Sequence, residues 1–252
     1  MTGEQAADRT VLKITGADRA KFLQGLVTND VSALEGRLVY AAMLSPQGKY
    51  LADFLLTERD GAILLDVSAQ IAEALARRLS MYKLRADVQI APSGLNVLRG
   101  LGPAPDGALP DPRHEALGWR AYSDTPGTPP VTDWDAIRVA HCIPETGIEL
   151  IPDASYILEA GFERLHGVDF RKGCYVGQEV TARMKHKTEL RKGLATVGIE
   201  GTAPPGTPIE ANGKEAGTLF TRAGDLAIAH LRFDRVAPRM TAGTATVLWP
   251  DG

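Results

Sequence analysis

The stretch FRKGCYVGQEVTAR, residues 170–183, carries one of only two cysteines in a chain of 252 residues. The run VGQEVTARMKHK (176–187) predicts a helix starting near Val176. Cys174 would then lie at or just before a helix N-terminus, where free N–H groups and the dipole favour an anion. Arg171 and Lys172 add positive charge, so a thiolate is favoured there over that of an isolated cysteine. Gly173 and Gly177 allow close backbone approach or positive φ. Glu179 suits the first turn, and Arg183, Lys185, His186 and Lys187 suit the last. A single cysteine is more often a small inert hydrophobe. That reading fits Cys142, inside the apolar run IRVAHCI, whereas charged and glycine neighbours favour a functional role for Cys174. Chemistry alone names no reaction here: no Asn or Asp pairs obviously with His186, so a cysteine-hydrolase triad is unsupported.

Hydrophobic residues make up 44% and charged residues 23% of the chain, with a net charge of −3, as in ordinary globular proteins. That balance exerts no overall pull toward nucleic acid or anionic membrane, so neither is expected as a direct partner. No apolar run approaches the length of a membrane span, and the opening MTGEQAADRTVLK lacks the apolar core of a signal peptide. Two cysteines cannot staple a protein of this size, fall short of the four thiolates of a typical iron–sulfur cluster, and lack zinc-type spacing. A metal or cluster would have to be shared with a partner or touched only transiently, at Cys174. Reduced thiols in a cytoplasmic protein are the expectation, and the lack of any coiled-coil pattern makes a monomer the default.

Along the chain, VLKITGADRAKFLQGLVTNDV (11–31) reads as strand, helix and turn, with Thr15 and Asp18 as a capping box. LVYAAML (38–44) and YLADFLLTE (50–58) flank SPQGK, which predicts a hairpin with a glycine turn. A strand over 62–67, a helix over about 69–82 and a strand over 86–91 follow. Seven of the 16 prolines fall between Gly100 and Pro130, which precludes a long helix there. SYILEAGFERLHGV (155–168) predicts a short helix ending at Gly167. From 193 onward, short β-rich runs alternate with turns, including an Asn212–Gly213 pair that signals a hairpin.

The string KGCYVGQE (172–179), followed by RMKHKTELRK, resembles the signature of the YgfZ family and its mitochondrial iron–sulfur assembly relatives. LKITGADRAKFLQGLVTND (12–30) and MYKLRADVQI (81–90) resemble segments of the wider glycine cleavage T-protein superfamily. DPRHEALGWRAY (111–122) resembles the YgfZ branch, and AGTLFTRAGDLAIAHLR (216–232) the C-terminal barrel. The resemblance implies an α+β fold, a three-subdomain ring of the T-protein type with a small C-terminal β-barrel. Residues 1–192 would form the folate-binding region of two interleaved subdomains, and 193–252 the barrel. It further implies a tetrahydrofolate-type ligand, and assembly, maintenance or repair of four-iron clusters in client enzymes, some of them tRNA-modifying. Partners would be iron–sulfur assembly proteins and those clients. The essential cysteine maps onto Cys174, with Lys172, Gly173, Tyr175, Gly177, Gln178 and Glu179 as signature neighbours. Lys172 and Arg183 could hold the folate tail by charge pairing, and Asn29 and Asp30 of the VTND turn could line the ligand opening. Local hydrogen bonds alone also account for such residues in a turn.

The T-protein pattern is not fully kept. Where aminomethyltransferases carry a glutamate two places after an arginine, Arg138 is followed by Val139 and Ala140. DVSAQIAEAL (66–75) lacks their Asn and catalytic Asp. One-carbon (aminomethyl) transfer is thus the second reading, and a pure interaction scaffold with an inert Cys174 the third.

Overall fold

A computed structural model describes residues 3–186 and 189–250. The chain divides into two compact units, 1–132 with 162–182 and 133–161 with 183–252.

The first unit is built on two antiparallel sheets. β1 (Glu4–Gln5) and β2 (Arg9–Thr15) precede helix α1 (Arg19–Gln24); β3 (Val39–Leu44), β4 (Tyr50–Arg59) and β5 (Ala62–Ser68) lead into α2 (Ala69–Tyr82) and β6 (Gln89–Pro92). β7 (Asn96–Gly100), β8 (Leu109–Pro110) and β9 (Trp119–Ser123) complete it. The strands order as β3-β4-β5-β2-β6 in one sheet and β1-β7-β9-β8 in the other. The expected hairpin is present, Val39 pairing with Leu56 across the SPQGK turn, and Gly48 takes φ +73 in that turn. α2 spans 69–82 as its period predicts and buries Ala72, Leu75 and Leu79. Other expectations shift. The Thr15–Asp18 capping box does not form: Asp18 makes no cap and instead accepts from the Asp87 N–H at 2.9 Å, while Asp87 accepts from Ala17 N–H at 2.9 Å. A reciprocal loop-to-loop lock has won over the local cap.

All of β3 and β5 and most of β4 are buried, because both faces of this sheet are covered. Period-two alternation still sorts the residues. Val39, Ala41, Met43, Phe54, Leu56, Ile63, Leu65 and Val67 join the apolar core with α1 and α2. The opposite face presents Tyr40, Asp53 and Asp66, and charge gathers around it. Asp66 accepts from Arg9 Nε at 2.7 Å and Arg120 Nη1 at 3.0 Å; Asp111 accepts from Arg120 Nε at 2.9 Å and Arg113 Nη2 at 2.7 Å. Tyr40 and Tyr50 hydroxyls donate to Asp53 at 3.0 and 2.7 Å. Buried charge on this scale is tolerated only when paired and hydrogen-bonded, and here each aspartate has partners.

The second unit joins helix α3 (Trp134–Ala140) to a closed barrel of β10 (Lys192–Glu200), β11 (Pro208–Ala211), β12 (Lys214–Ala223), β13 (Leu226–Arg232), β14 (Arg239–Ala242) and β15 (Ala245–Leu248). Asn212 and Gly213, at φ 51 and 72, make the two-residue turn between β11 and β12. Arg138 of α3 is buried and meets Asp135, Glu145 and Glu149 at 2.9 to 3.4 Å. The α+β class and the C-terminal barrel stand as expected. The helix over 155–168 does not: those residues form consecutive turns, since Gly161 (φ 78) and His166 (φ 56) adopt left-handed backbone that ends any helical run. Helix α4 (Gln178–His186) starts two residues later than predicted, and Lys187, expected to close it, lies outside the described residues. No described helix is long and apolar enough to cross a membrane.

Burial alone would raise Asp66 and Asp111, but Arg9 and Arg120 hold the first, and Arg113 and Arg120 the second, below the usual carboxylate value. The unfolded chain therefore takes up protons first as pH falls, so their contribution is present above about pH 4 and lost below it. Asp66→Asn, which leaves Arg9 and Arg120 underpaired, should cost roughly 3–5 kcal/mol in urea unfolding at neutral pH. It should also flatten the acid limb of the stability–pH curve.

Candidate functional site

The VTND turn that leaves α1 is held rigidly from beneath. Thr28 N–H donates to Ala42 O at 3.0 Å, and Ala42 N–H donates to Thr28 Oγ1 at 2.8 Å, fixing the turn to β3. The turn in turn holds the segment that precedes the cysteine. Thr28 Oγ1 donates to Gly167 O at 2.7 Å, Asn29 Nδ2 to His166 O at 2.7 Å, and Asp169 N–H to Thr28 O at 3.1 Å. Asn29 Nδ2 also donates to Tyr40 O at 2.8 Å, and its Oδ1 accepts from Asp30 N–H at 2.9 Å. Tyr40 stacks on Phe162 with ring centroids 4.8 Å apart, and Gly167 packs against both rings. The His166 Nδ1 lies 2.9 Å from Pro112 O; a carbonyl only accepts, so that nitrogen carries a proton.

Lys172 is the strongest tie. Its ammonium donates to Gln24 O at 2.9 Å, Val27 O at 2.5 Å and Asn29 O at 2.9 Å, using all three of its protons. These oxygens belong to the end of α1 and the chain leaving it, where carbonyls lack helical partners. Only 9% of Lys172 is exposed. Burial lowers its pKa to about 8, against the opposing pull of Asp30 and Asp169. The expectation that Lys172 offers a free cation to a folate tail is therefore corrected: its donors are committed within the protein.

Cys174 is exposed, as is Gly173, while the residues on either side of this pair are buried. Tyr175 is 7% exposed, its pKa raised by burial, and its ring lies 5.3 Å from the Lys172 ammonium. The thiol sits in a loop four residues ahead of α4, not at the helix terminus. Gly177 does what its motif position suggests. At φ +83, a Cβ there would fall 2.5 Å from Ser45 O, and one on Gly48 would fall 2.6 Å from the Val180 side chain. The SPQGK turn and the start of α4 thus touch backbone to backbone. Gly173 needs neither positive φ nor space, since nothing lies within 4 Å of an added Cβ. Gln178 opens α4, and Glu179 is exposed in its first turn. Arg183, on the last turn, is exposed and belongs to the second unit.

Beside the thiol loop, Asn29, Glu163, His166, Val168, Asp169, Phe170 and Arg171 line an open cleft of about 420 Å³. Of these, Asn29 and Arg171 were singled out in the sequence, Asn29 for the ligand opening and Arg171 for its charge beside Cys174. The roles of Thr28, His166 and Asp169 carry no local signal, because the bonds from Thr28 to Gly167, from Asn29 to His166 and from Asp169 to Thr28 close over more than a hundred residues. Among the described residues, no group of three or more His, Cys, Asp or Glu side chains could hold a metal ion.

The fold is that of the glycine cleavage T-protein class. A crystal structure of aminomethyltransferase T from Bartonella henselae superposes with a TM-score of 0.76 over 98% of this chain and 85% of that one, at 13% identity, which speaks for fold alone. Residues 191–251 match a family described as "CAF17, C-terminal beta-barrel domain". A mouse protein named "Iron-sulfur cluster assembly factor IBA57, mitochondrial" is 32% identical over 90% of this chain and 76% of its own length. Its human namesake is 30% identical over the same shares. A Mycosarcoma maydis homologue is 31% identical over 78% of this chain and 57% of its own length. The chain belongs to the IBA57 family. The resemblance to YgfZ thus pointed to a related but differently named family. The cytoplasmic expectation is overturned, since these relatives are mitochondrial by name. Free thiols and modest net charge suit either compartment, which is why composition could not separate them.

Gly177→Ala should destabilise the protein by roughly 1–3 kcal/mol, the cost of left-handed backbone at a non-glycine residue. Gly173→Ala should stay within about 0.5 kcal/mol of wild type, as exposed substitutions do. Chemical denaturation of the two variants side by side measures the contrast.

Proposed function

We propose that this chain is an iron–sulfur cluster assembly factor that presents Cys174 to a cluster or to the thiol of a partner. The carrying observation is the exposed Cys174 between the buried anchors Lys172 and Tyr175, in a chain whose relatives bear that name. A thiolate is a natural iron ligand, and four-iron clusters are held by four of them. One thiolate on this chain leaves the remaining ligands to a partner, so the cluster is cargo passed between proteins, and the assembly machinery and its clients are the partners.

Reduced folate is proposed as the small-molecule ligand, and the cleft beside the loop has a donor set that fits it. Glu163 and Asp169 are acceptors suited to the N–H-rich edge of a pterin, Phe170 offers a ring face, and Arg171 supplies a cation. The Arg171 side chain is 94% exposed, with Asp169 Oδ1 at 3.7 Å. In this arrangement Arg171 takes the tail-binding role that the sequence alone suggested for Lys172. A reduced folate would bring one-carbon or reducing capacity; the chain's own residues bind and orient it. Aminomethyl transfer is not favoured, because Ala140, two places after Arg138, stands where the enzymes carry their glutamate.

Cys174→Ser should abolish maturation of a four-iron client in cells lacking the native factor, with the thermal midpoint unchanged. Full client activity in that variant would remove the thiol from the mechanism. Calorimetric titration with tetrahydrofolate should show Arg171→Ala binding roughly tenfold more weakly, the loss of one charge-assisted hydrogen bond. Equal affinity would place the ligand elsewhere.

A further inference from the structure

A buried lysine normally answers a carboxylate. Lys172 instead spends its donors on three main-chain oxygens, of Gln24, Val27 and Asn29. Three donors in a tetrahedral fan match three carbonyls converging on one point, a geometry the flat fork of arginine does not reproduce. The Cα positions of residue 172 and of the turn it grips are thereby fixed with respect to each other. Across the loop, the Tyr175 ring comes within 5.3 Å of the same ammonium. Residues 172 and 175 therefore close on each other from the two ends, leaving Gly173 and Cys174 as the exposed tip.

We infer that Lys172 is a positioning residue: its ammonium caps the carbonyls leaving α1 and so holds the loop that carries Cys174 in one presenting geometry. The inference rests on the reading of Cys174 as the working thiol. It differs from a folate-binding role for Lys172 and from a direct role in chemistry, since every proton of the ammonium faces the protein. Asn29, Thr28 and Asp169 assist by tying the preceding residues to the same turn. They act on backbone 166–169, however, and only Lys172 reaches the turn from within the tip's own flank.

The test is mobility at the thiol. A nitroxide is attached to Cys174 of the full chain in a Cys142→Ala background, and its spectrum is recorded with and without Lys172→Ala. Wild-type Lys172 should give a restricted label, and Lys172→Ala should lose most of that restricted component. Propylammonium, which restores the missing methylenes and the three N–H donors, should bring the component back saturably. Tetramethylammonium, with charge but no donors, should not. If Lys172→Ala leaves the spectrum as it was, or tetramethylammonium restores it as well as propylammonium does, the positioning role is overturned. Should Lys172→Ala fail to fold, Lys172→Met keeps the stem without the donors, and an unchanged label there overturns the inference equally. Client maturation enters none of these readings, so failure here and failure of the Cys174→Ser test remain distinguishable.

Discussion

The oxygens of Gln24, Val27 and Asn29 close around the Lys172 ammonium at 2.5 to 2.9 Å, and the site depends on that cage. An uncapped helix end carries carbonyls that must find a donor. Here the donor arrives from nearly 150 residues downstream and brings the thiol loop with it. The same short turn binds Gly167, His166 and Asp169, so a few residues after α1 serve as the docking point for the whole segment ahead of Cys174. Leaving the buried Val27 carbonyl without a donor would cost about 1–3 kcal/mol, and the half-buried Gln24 and Asn29 carbonyls gain donors from the same ammonium, which explains why a lysine is worth burying at this position.

The turn is itself only as firm as the sheet beneath it. β3 has one face in the apolar core and the other toward Asp53, Asp66 and their arginines. A three-arginine, three-aspartate cluster is costly to desolvate and is stable only with its partners in place. Its effect is geometric: it leaves little freedom in the stacking of Tyr40 on Phe162, and Phe162 begins the segment that ends at Lys172. Apolar packing, buried charge and helix capping therefore act in series, from sheet to turn to loop.

Much of the scaffold was legible in the sequence wherever local rules decide. The SPQGK hairpin, the period of α2 and the Asn212–Gly213 turn all obey short-range preferences, and all three are found where expected. Distant partners decided the failures. Asp18 looked like part of a capping box, yet the Asp87 backbone offered it a better partner. SYILEAGFERLHGV has helical spacing, but Gly161 and His166 take left-handed backbone, and Gly167 and Asp169 then bond to the turn. Cys174 was legible as the candidate thiol from its neighbours; Lys172 was read as a cation for the thiolate and for a folate tail because nothing nearby in sequence reveals three carbonyls waiting for it. Gly173 and Gly177 look alike in the motif, and only the packing against Ser45 separates the required glycine from the dispensable one.

A thiol meant to meet a cluster on another protein gains from being exposed yet held, because a wandering loop pays its ordering entropy at every encounter. The exposed Gly173–Cys174 tip between two buried side chains has that form. Amide hydrogen exchange of the intact protein probes it most directly. The Asp169 N–H, bonded to Thr28 O, should exchange as slowly as the β3 amide of Ala42, bonded to Thr28 Oγ1. Exchange of Asp169 at the rate of an open loop, with Ala42 still protected, would contradict a thiol held in place by the VTND turn.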